Sequence, residues 1–335
     1  MSFRAMRKWY EGNNAAIINS GGAPVAPSPA IFQAGTTFFV DSDNGSDNAD
    51  GLTPSTAKLT VAAGYDLMTS NANDVLYLSA NAEHALTEML DISKNRCHFV
   101  GTDFAGRSYG SRSRISSALS SGATNIATMQ NTGIGNTFTG IKFDNGNTVA
   151  EGLYCVVEAG EYAMYNNCEI YKSTDLDVTG AAELVNNGDS AVFRNCTIGS
   201  NANAISGAII RPNVLCTNGI VAGKVSRDVT FERCNFWRRS SNATNRFIYG
   251  ANAADIQRML LFNDCVFWNA KLSGGTPAQN VAFGASLSVG YVLLNNCISV
   301  GAATAMSTTT GVFVNGPNQT SAAGGAEIGI ALQAG

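Results

Sequence analysis

The sequence predicts an all-β solenoid, a single elongated body in which short parallel strands stack coil upon coil. Three observations carry this. A tetrad of one bulky apolar residue, two mostly polar residues and a cysteine recurs five times: Tyr165-Asn166-Asn167-Cys168, Phe193-Arg194-Asn195-Cys196, Phe231-Glu232-Arg233-Cys234, Phe262-Asn263-Asp264-Cys265 and Leu294-Asn295-Asn296-Cys297. Subtracting cysteine positions gives intervals of 28, 38, 31 and 32 residues, the spacing of stacked supersecondary units. Around each cysteine, positions −5, −3, 0 and +2 are mostly apolar, as in Ala163, Tyr165, Cys168 and Ile170 or Val229, Phe231, Cys234 and Phe236. That even spacing puts them on one inward face of two strands joined by a bend.

The bend has its own signature. The residue before the cysteine is Asn167, Asn195, Asp264 or Asn296, and Gly140 stands in the matching place before Ile141. All tolerate the left-handed backbone region that a sharp bend needs; Arg233 is the exception. Asparagines stacked at this position are expected to hydrogen-bond from coil to coil. The cysteines are expected to be reduced, small buried hydrophobes lining the spine, with Cys97 (Asn95-Arg96-Cys97-His98-Phe99) in a similar setting. The chain has no CxxC, so no zinc-binding pattern is read.

Along the chain, residues 1–36 read as an extended arm. A basic-aromatic tip (Arg4, Arg7, Lys8, Trp9, Tyr10) precedes a Gly/Pro-rich stretch with Pro24, Pro27 and Pro29. Thr37-Phe38-Phe39-Val40 reads as a strand, followed by an Asp/Gly/Asn-dense turn through Pro54. Leu59, Ala62, Ala63 and Leu67 recur at helical spacing near 59–70, and Asp74–Ser79 reads as a second strand. Strand, turn, short helix and strand form a cap over the first coil at 37–80, and the solenoid runs from 37 to 300. Residues 301–335 are rich in Ala, Gly, Thr and Ser with little periodicity and are expected to be a tail held by a partner.

The stretch FFVDSDNGSDNADGLTPSTAKLTVAAGYDL…NDVLYLSA resembles the opening of right-handed parallel β-helix proteins of the pectate-lyase-like superfamily, which includes many phage virion proteins. The resemblance covers roughly residues 37–80, and the coil repeat extends it to about residue 300. It implies a right-handed parallel β-helix and a homo-oligomer, a trimer by default.

Only 14% of residues are charged, the net charge is −4 and the pI is about 5.2, so the bulk charge invites neither nucleic acid nor an anionic membrane. The N-terminus lacks the apolar core of a secretory signal, which points to synthesis and assembly in a host cytoplasm. Asp41, Asp43, Asp47 and Asp50 offer carboxylates of the kind calcium prefers, although Leu52 stands where an EF-hand has its bidentate Glu. The alternative is an Asx-turn loop whose carboxylates bond nearby amides. No other cofactor is indicated.

Trp237 and Trp268, each three residues after a tetrad cysteine, are expected to stack on consecutive coils, with Arg238 and Arg239 following. Such a face suits a protein interface or a sugar platform, or is covered by the loop 271–280. No acidic cluster with Arg or Lys at coil spacing is visible, as a lyase would require. Glu232 and Asp264 sit near the bend on adjacent coils and read as a solvated pair. His84 and His98 show no nucleophilic partner, and His98, alternating with Cys97 and Phe99, is expected to face outward.

The expectation is therefore a non-enzymatic virion structural protein, most specifically a capsid decoration or cement protein whose ends reach across the major capsid protein. The alternative is a tailspike or fibre that binds or depolymerises a host surface polysaccharide.

Overall fold

The computed structural model describes residues 35–80, 83–102, 113–117, 126–147, 152–173, 180–202, 205, 211–217, 219–240, 246–250, 252–270, 287–300 and 310–315. It is a right-handed parallel β-helix of three sheets. Every strand pair within them is parallel, and each coil contributes up to one strand to each sheet.

Sheet A has ten strands in the order β1 (Thr37–Val40), β2 (Val75–Leu78), β5 (His98–Gly101), β8 (Thr137–Thr139), β11 (Met164–Asn166), β14 (Val192–Arg194), β17 (Ser226–Glu232), β20 (Ile256–Asn263), β22 (Gly290–Asn295) and β24 (Val312–Asn315). Sheet B has eight, β3 (Glu83–Leu86), β6 (Ser113–Ser117), β9 (Ile141–Asn145), β12 (Glu169–Lys172), β15 (Thr197–Gly199), β18 (Asn235–Arg238), β21 (Val266–Asn269) and β23 (Ile298–Val300). Sheet C has six, β4 (Leu90–Ile92), β7 (Ala127–Asn131), β10 (Tyr154–Glu158), β13 (Ala182–Asn186), β16 (Val214–Cys216) and β19 (Ile248–Gly250). Strand β24 carries sheet A beyond residue 300, into the stretch expected to be tail.

The tetrads are the junction between sheets A and B. Their bulky residues form one ladder inside the helix, with ring centroids 4.7 Å apart for Phe138–Tyr165, 4.6 Å for Tyr165–Phe193, 4.7 Å for Phe193–Phe231 and 4.6 Å for Phe231–Phe262. These separations match the spacing of paired strands, so in-register backbones stack the rings without further adjustment. All eight cysteines are free and buried. From Cys168 onward, each tetrad thiol donates to the carbonyl of the bulky residue one coil earlier: Cys168 to Phe138, Cys196 to Tyr165, Cys234 to Phe193, Cys265 to Phe231 and Cys297 to Phe262, at 3.4–3.5 Å.

The bend residues adopt the left-handed region: Asn167, Asn195, Asp264 and Asn296 have φ of 53°, 53°, 53° and 49°, and Gly140 has 67°. Arg233 (52°) does the same, so the bend is imposed by the stack even where the residue type opposes it. Each bend amide bonds a carbonyl on the next coil, as in Asn195 N–H to Glu232 O (2.9 Å) and Arg233 N–H to Asn263 O (2.9 Å). The principal asparagine ladder runs one position before the bend, from Asn315 to Asn295 to Asn263. Among bend residues, Asn296 donates to Asp264 (2.6 Å).

The cap is a helix, α1 (Val61–Leu67), laid against β1 and β2. Its buried residues are Val61, Gly64 and Tyr65, so the inward stripe lies one step round from the expected Leu59/Ala62/Ala63/Leu67 set, and Leu59 is exposed. Gly64 lets the helix approach closely: a Cβ there would lie 2.5 Å from Val40 Cγ2. Lys94 from the following coil donates through Nζ to the carbonyls of Tyr65 (2.9 Å), Asp66 (3.1 Å) and Met68 (2.8 Å), the negative end of the helix. The outer edge of β1 is occupied by Gly51–Lys58: Phe39 N–H bonds Gly51 O, Lys58 N–H bonds Phe39 O, and Asp41 N–H bonds Lys58 O.

Candidate functional site on the outer face of sheet B

Parallel register turns alternate residues of sheet B into straight columns on its outer face. One column runs Glu83, Arg114, Lys142, Glu169 and Thr197; its neighbour holds Ser116, Asp144 and Tyr171, and further along Gly199, Trp237 and Trp268. At the N-terminal end these columns converge. The Arg114 guanidinium pairs with the buried Asp144 carboxylate, and its Nη1 lies 3.5 Å from Glu83. Tyr171 donates its hydroxyl to the same Asp144 oxygen (2.9 Å), and Ser116 donates to Glu83 (2.5 Å). Lys142 lies 3.8 Å from Glu169 and over the Tyr171 ring at 4.7 Å.

Two carboxylates thus share one guanidinium across three coils, beside a phenol. Burial pushes the Tyr171 hydroxyl far above its ordinary pKa, and the neighbouring Asp144 adds to this, so the phenol stays a proton donor. Burial works against the charge on Arg114, yet Asp144 outweighs it and raises the pKa. Such a cluster can hold a hydroxyl-rich or carboxylate-bearing ligand, with donors and acceptors fixed by the strand lattice.

This corrects the expectation that no acidic cluster with Arg or Lys occurs at coil spacing. Glu83, Arg114 and Asp144 come from coils without the cysteine tetrad, so the repeat offers no landmark for aligning them. The strand alternation of β6 and β9 was the available signal.

Further along the column, Trp237 and Trp268 face each other in register and half-buried, as expected, but they do not stack: their rings meet edge to face, with centroids 5.7 Å apart and planes at 88°. Gly199, at φ +93°, is required below them, since a Cβ there would sit 2.1 Å from Trp237 O and 2.0 Å from Asn213 Nδ2. Arg239 is half-buried beside this pair. Arg238 is not on the surface. It is 1% exposed, donates to Arg211 O (2.7 Å) and lies over the Phe247 ring at 4.7 Å, because alternation in β18 turns it away from Trp237. Arg211 pairs with Glu183 (3.2 Å), both buried.

The acidic loop is built as Asx turns. Asp41 accepts from the amides of Asp43 (3.0 Å) and Asn44 (3.3 Å), and Asp50 from that of Leu52 (3.0 Å). Asp47 takes the amides of Leu59 and Thr60, both at 2.9 Å, and the Thr60 hydroxyl, while Asp43 is exposed. Among the described residues, no group of three or more His, Cys, Asp or Glu side chains could hold a metal ion.

Glu232 is taken by Arg194 (2.8 Å) and Arg233 (3.1 Å), while Asp264 bonds Asn263 and Asn296. His98 lies on the outer side of sheet A, as expected, yet is only 4% exposed. It bonds Thr137 Oγ1 (2.9 Å), and burial pushes its pKa down to about 4. The basic-aromatic tip (Arg4, Arg7, Lys8, Trp9, Tyr10) and the loop 271–280 lie outside the described residues. Among the described residues, no helix is long and apolar enough to cross a membrane.

No protein-family model matches the chain, and no curated protein sequence matches it. Solved structures do. A rhamnogalacturonan lyase superposes with a TM-score of 0.54 at 12% identity, covering 79% of this chain and 68% of its own. A pectate lyase gives 0.54 at 12% identity, covering 83% and 67%. ORF18 of Geobacillus virus E2 gives 0.49 at 13% identity, covering 80% of this chain and half of its own. The expectation of a chain that is not an enzyme is overturned here: the fold is one that polysaccharide lyases use. At such identities the likeness is one of fold, and the chain is a right-handed parallel β-helix of the architecture seen in those lyases.

Proposed function

We propose that this chain is a structural component of a phage particle, most specifically a capsid decoration protein that bridges capsid subunits through the outer face of sheet B and its terminal segments. The observation that carries this reading is the Trp237–Trp268 pair with Arg239. Two half-buried tryptophans held in register on a rigid lattice, with a half-buried arginine two residues after the first, have the composition of interface anchors. The phage context rests on the resemblance of the 37–80 cap to the openings of virion β-helix proteins, and assembly in the host cytoplasm goes with it. The arm residues Arg4, Arg7, Lys8, Trp9 and Tyr10 add a second contact with the major capsid protein.

The test is reconstitution with phage particles lacking this protein. Wild-type chain should decorate the capsid, seen as added density by electron microscopy, and the Trp237→Ala/Trp268→Ala double variant should not. Equal decoration by the double variant removes the sheet B face from the proposal, and density at the tail alone removes the capsid role.

A second reading is favoured by a specific cluster. Glu83, Arg114, Asp144 and Tyr171 share the columns that lead to the tryptophans, an arrangement that suits binding or cleavage of a host surface polysaccharide in a tailspike. New reducing ends or unsaturated products on incubation with that polysaccharide, lost in Asp144→Asn, would establish it.

A further inference from the structure

The two ends of the solenoid are finished differently. At the start, the edge of β1 is occupied by Gly51–Lys58 and surrounded by Asp41, Asp43, Asp47, Asp50 and Lys58, a charged and covered edge of the kind that prevents strand addition. At the other end, β24 is the last strand of sheet A, and among the described residues no strand pairs with its far side. Val312 and Val314, which point into the helix, are only partly buried. On the outer face Phe313 is 54% exposed and Tyr291 58%, their rings 5.6 Å apart, with Met259 39% exposed one coil earlier. Residues 272–326 contain no Asp, Glu, Lys or Arg. Among the described residues, this edge strand with open hydrogen-bonding groups, an apolar face and no charge shows none of the devices by which an isolated protein blocks pairing.

We infer that the occupant of this edge is a second copy of the chain, joined end to end by antiparallel pairing of β24 with β24 across a twofold axis. The end is its own complement. With Phe313 opposite Phe313, Val312 falls opposite Val314 of the second copy, so inward-facing residues stay inward and the two cores become continuous, while both aromatic pairs lie on one outer surface. A net charge of −4 per chain opposes association of two copies in general, and a charge-free terminus is where they meet with least repulsion. Strand addition supplies main-chain hydrogen bonds to the side of β24 that no described strand pairs. One strand edge accepts one partner strand, so this contact makes a pair, separate from any side-by-side trimer.

The test uses the full chain. In this register the Cα atoms of residue 313 in the two copies lie about 4.5–5.5 Å apart, within disulfide range, whereas those of residue 315 lie roughly 13 Å apart, beyond it. Phe313→Cys should give a two-chain species on a non-reducing denaturing gel after mild oxidation, and Asn315→Cys should not; the eight native thiols are buried and give no background. Phe313→Lys should lower the sedimenting mass of the native assembly with an unchanged circular dichroism spectrum. A wild-type chain that sediments as a monomer overturns the inference, as does linkage through position 315 in place of 313. So does a monomeric full chain whose truncation after Asn315 dimerises, which would assign the edge to residues 316–335.

Discussion

Arg233 offers a direct test of what the stack imposes on its own sequence. It holds φ at 52° in a bend where other coils place Asn, Asp or Gly. A left-handed conformation costs a residue with an ordinary Cβ roughly 1–2 kcal/mol, and Asn recovers part of this through local hydrogen bonding. Arg233→Asn should therefore relieve about 1 kcal/mol. Against it stands the Arg233–Glu232 ion pair at 3.1 Å, with the arginine side chain 52% exposed. An exposed pair contributes about 0–1 kcal/mol, and Glu232 keeps Arg194 at 2.8 Å, so the loss falls at the low end. The Asn263 carbonyl that accepts from the residue 233 amide is unaffected by the side chain. The net expectation is a gain of about 0.5–1 kcal/mol in urea unfolding at unchanged m-value, and Asn195→Arg should lose a similar amount at the equivalent bend. If Arg233→Asn destabilises while Asn195→Arg is neutral, residue type does not matter at the bend and the conformational reasoning is wrong.

Three further outcomes follow from the interior. Glu158 is buried, accepting from Tyr165 OH (2.6 Å), Gly160 N–H (2.7 Å) and Asn131 Nδ2, yet burial outweighs these donors and raises its pKa from 4.5 to about 7. The folded state then holds the proton more tightly than the unfolded one, so this group's contribution to stability falls as pH rises from about 4.5 to 7, by roughly 3 kcal/mol if fully expressed. Glu158→Gln should flatten that window in pH-dependent melting; an unchanged slope refutes it. The Cys97 and Cys216 thiols should resist a disulfide reagent in the native state and react on unfolding, because burial raises Cys97 to about 11 and Cys216 to about 12; rapid native labelling at either would contradict this. Lys94→Met should uncap the C-terminal carbonyls of α1 and raise amide exchange in 61–68 selectively, whereas uniform exchange along the rod would show that the cap is not clamped by Lys94.

What the sequence made legible was whatever repeats with chemistry the backbone demands. The tetrad joins a bulky ladder residue, a bend residue and a buried thiol, three requirements of one corner, so sheets A and B could be read wherever it occurs. Strand β24 escaped because its corner carries no cysteine: Val312-Phe313-Val314-Asn315 keeps the alternation and the ladder asparagine alone. The helix face was misjudged because Ala62 is apolar yet exposed and Ala63 and Leu67 are only partly buried, whereas Gly64 is inward because it is small. His98 faces outward by alternation, which gives the side of a strand but not what covers it, and the same alternation applied to β18 takes Arg238 off the Trp237 face.

The candidate site illustrates the same limit from the other direction. Glu83, Arg114 and Asp144 stand 31 and 30 residues apart in sequence, by subtraction of their numbers, and only parallel register puts them side by side. Arg114 belongs to the column of Glu83, while Asp144 lies two residues along in the next strand, so the guanidinium reaches diagonally across the sheet. Diagonal neighbours in a sheet are about 7–8 Å apart at Cα, a span that arginine covers, whereas Lys142 reaches only its direct neighbour in the column, Glu169. Arg114→Lys should therefore leave the strands intact and break the link to Asp144, stranding a buried carboxylate whose Oδ2 then has only the Tyr171 hydroxyl. The expected signature is a loss of about 3 kcal/mol or more in stability, with Asp144→Asn in the same background restoring most of it. A lysine variant as stable as wild type would show that Arg114 is not what holds this carboxylate in the sheet.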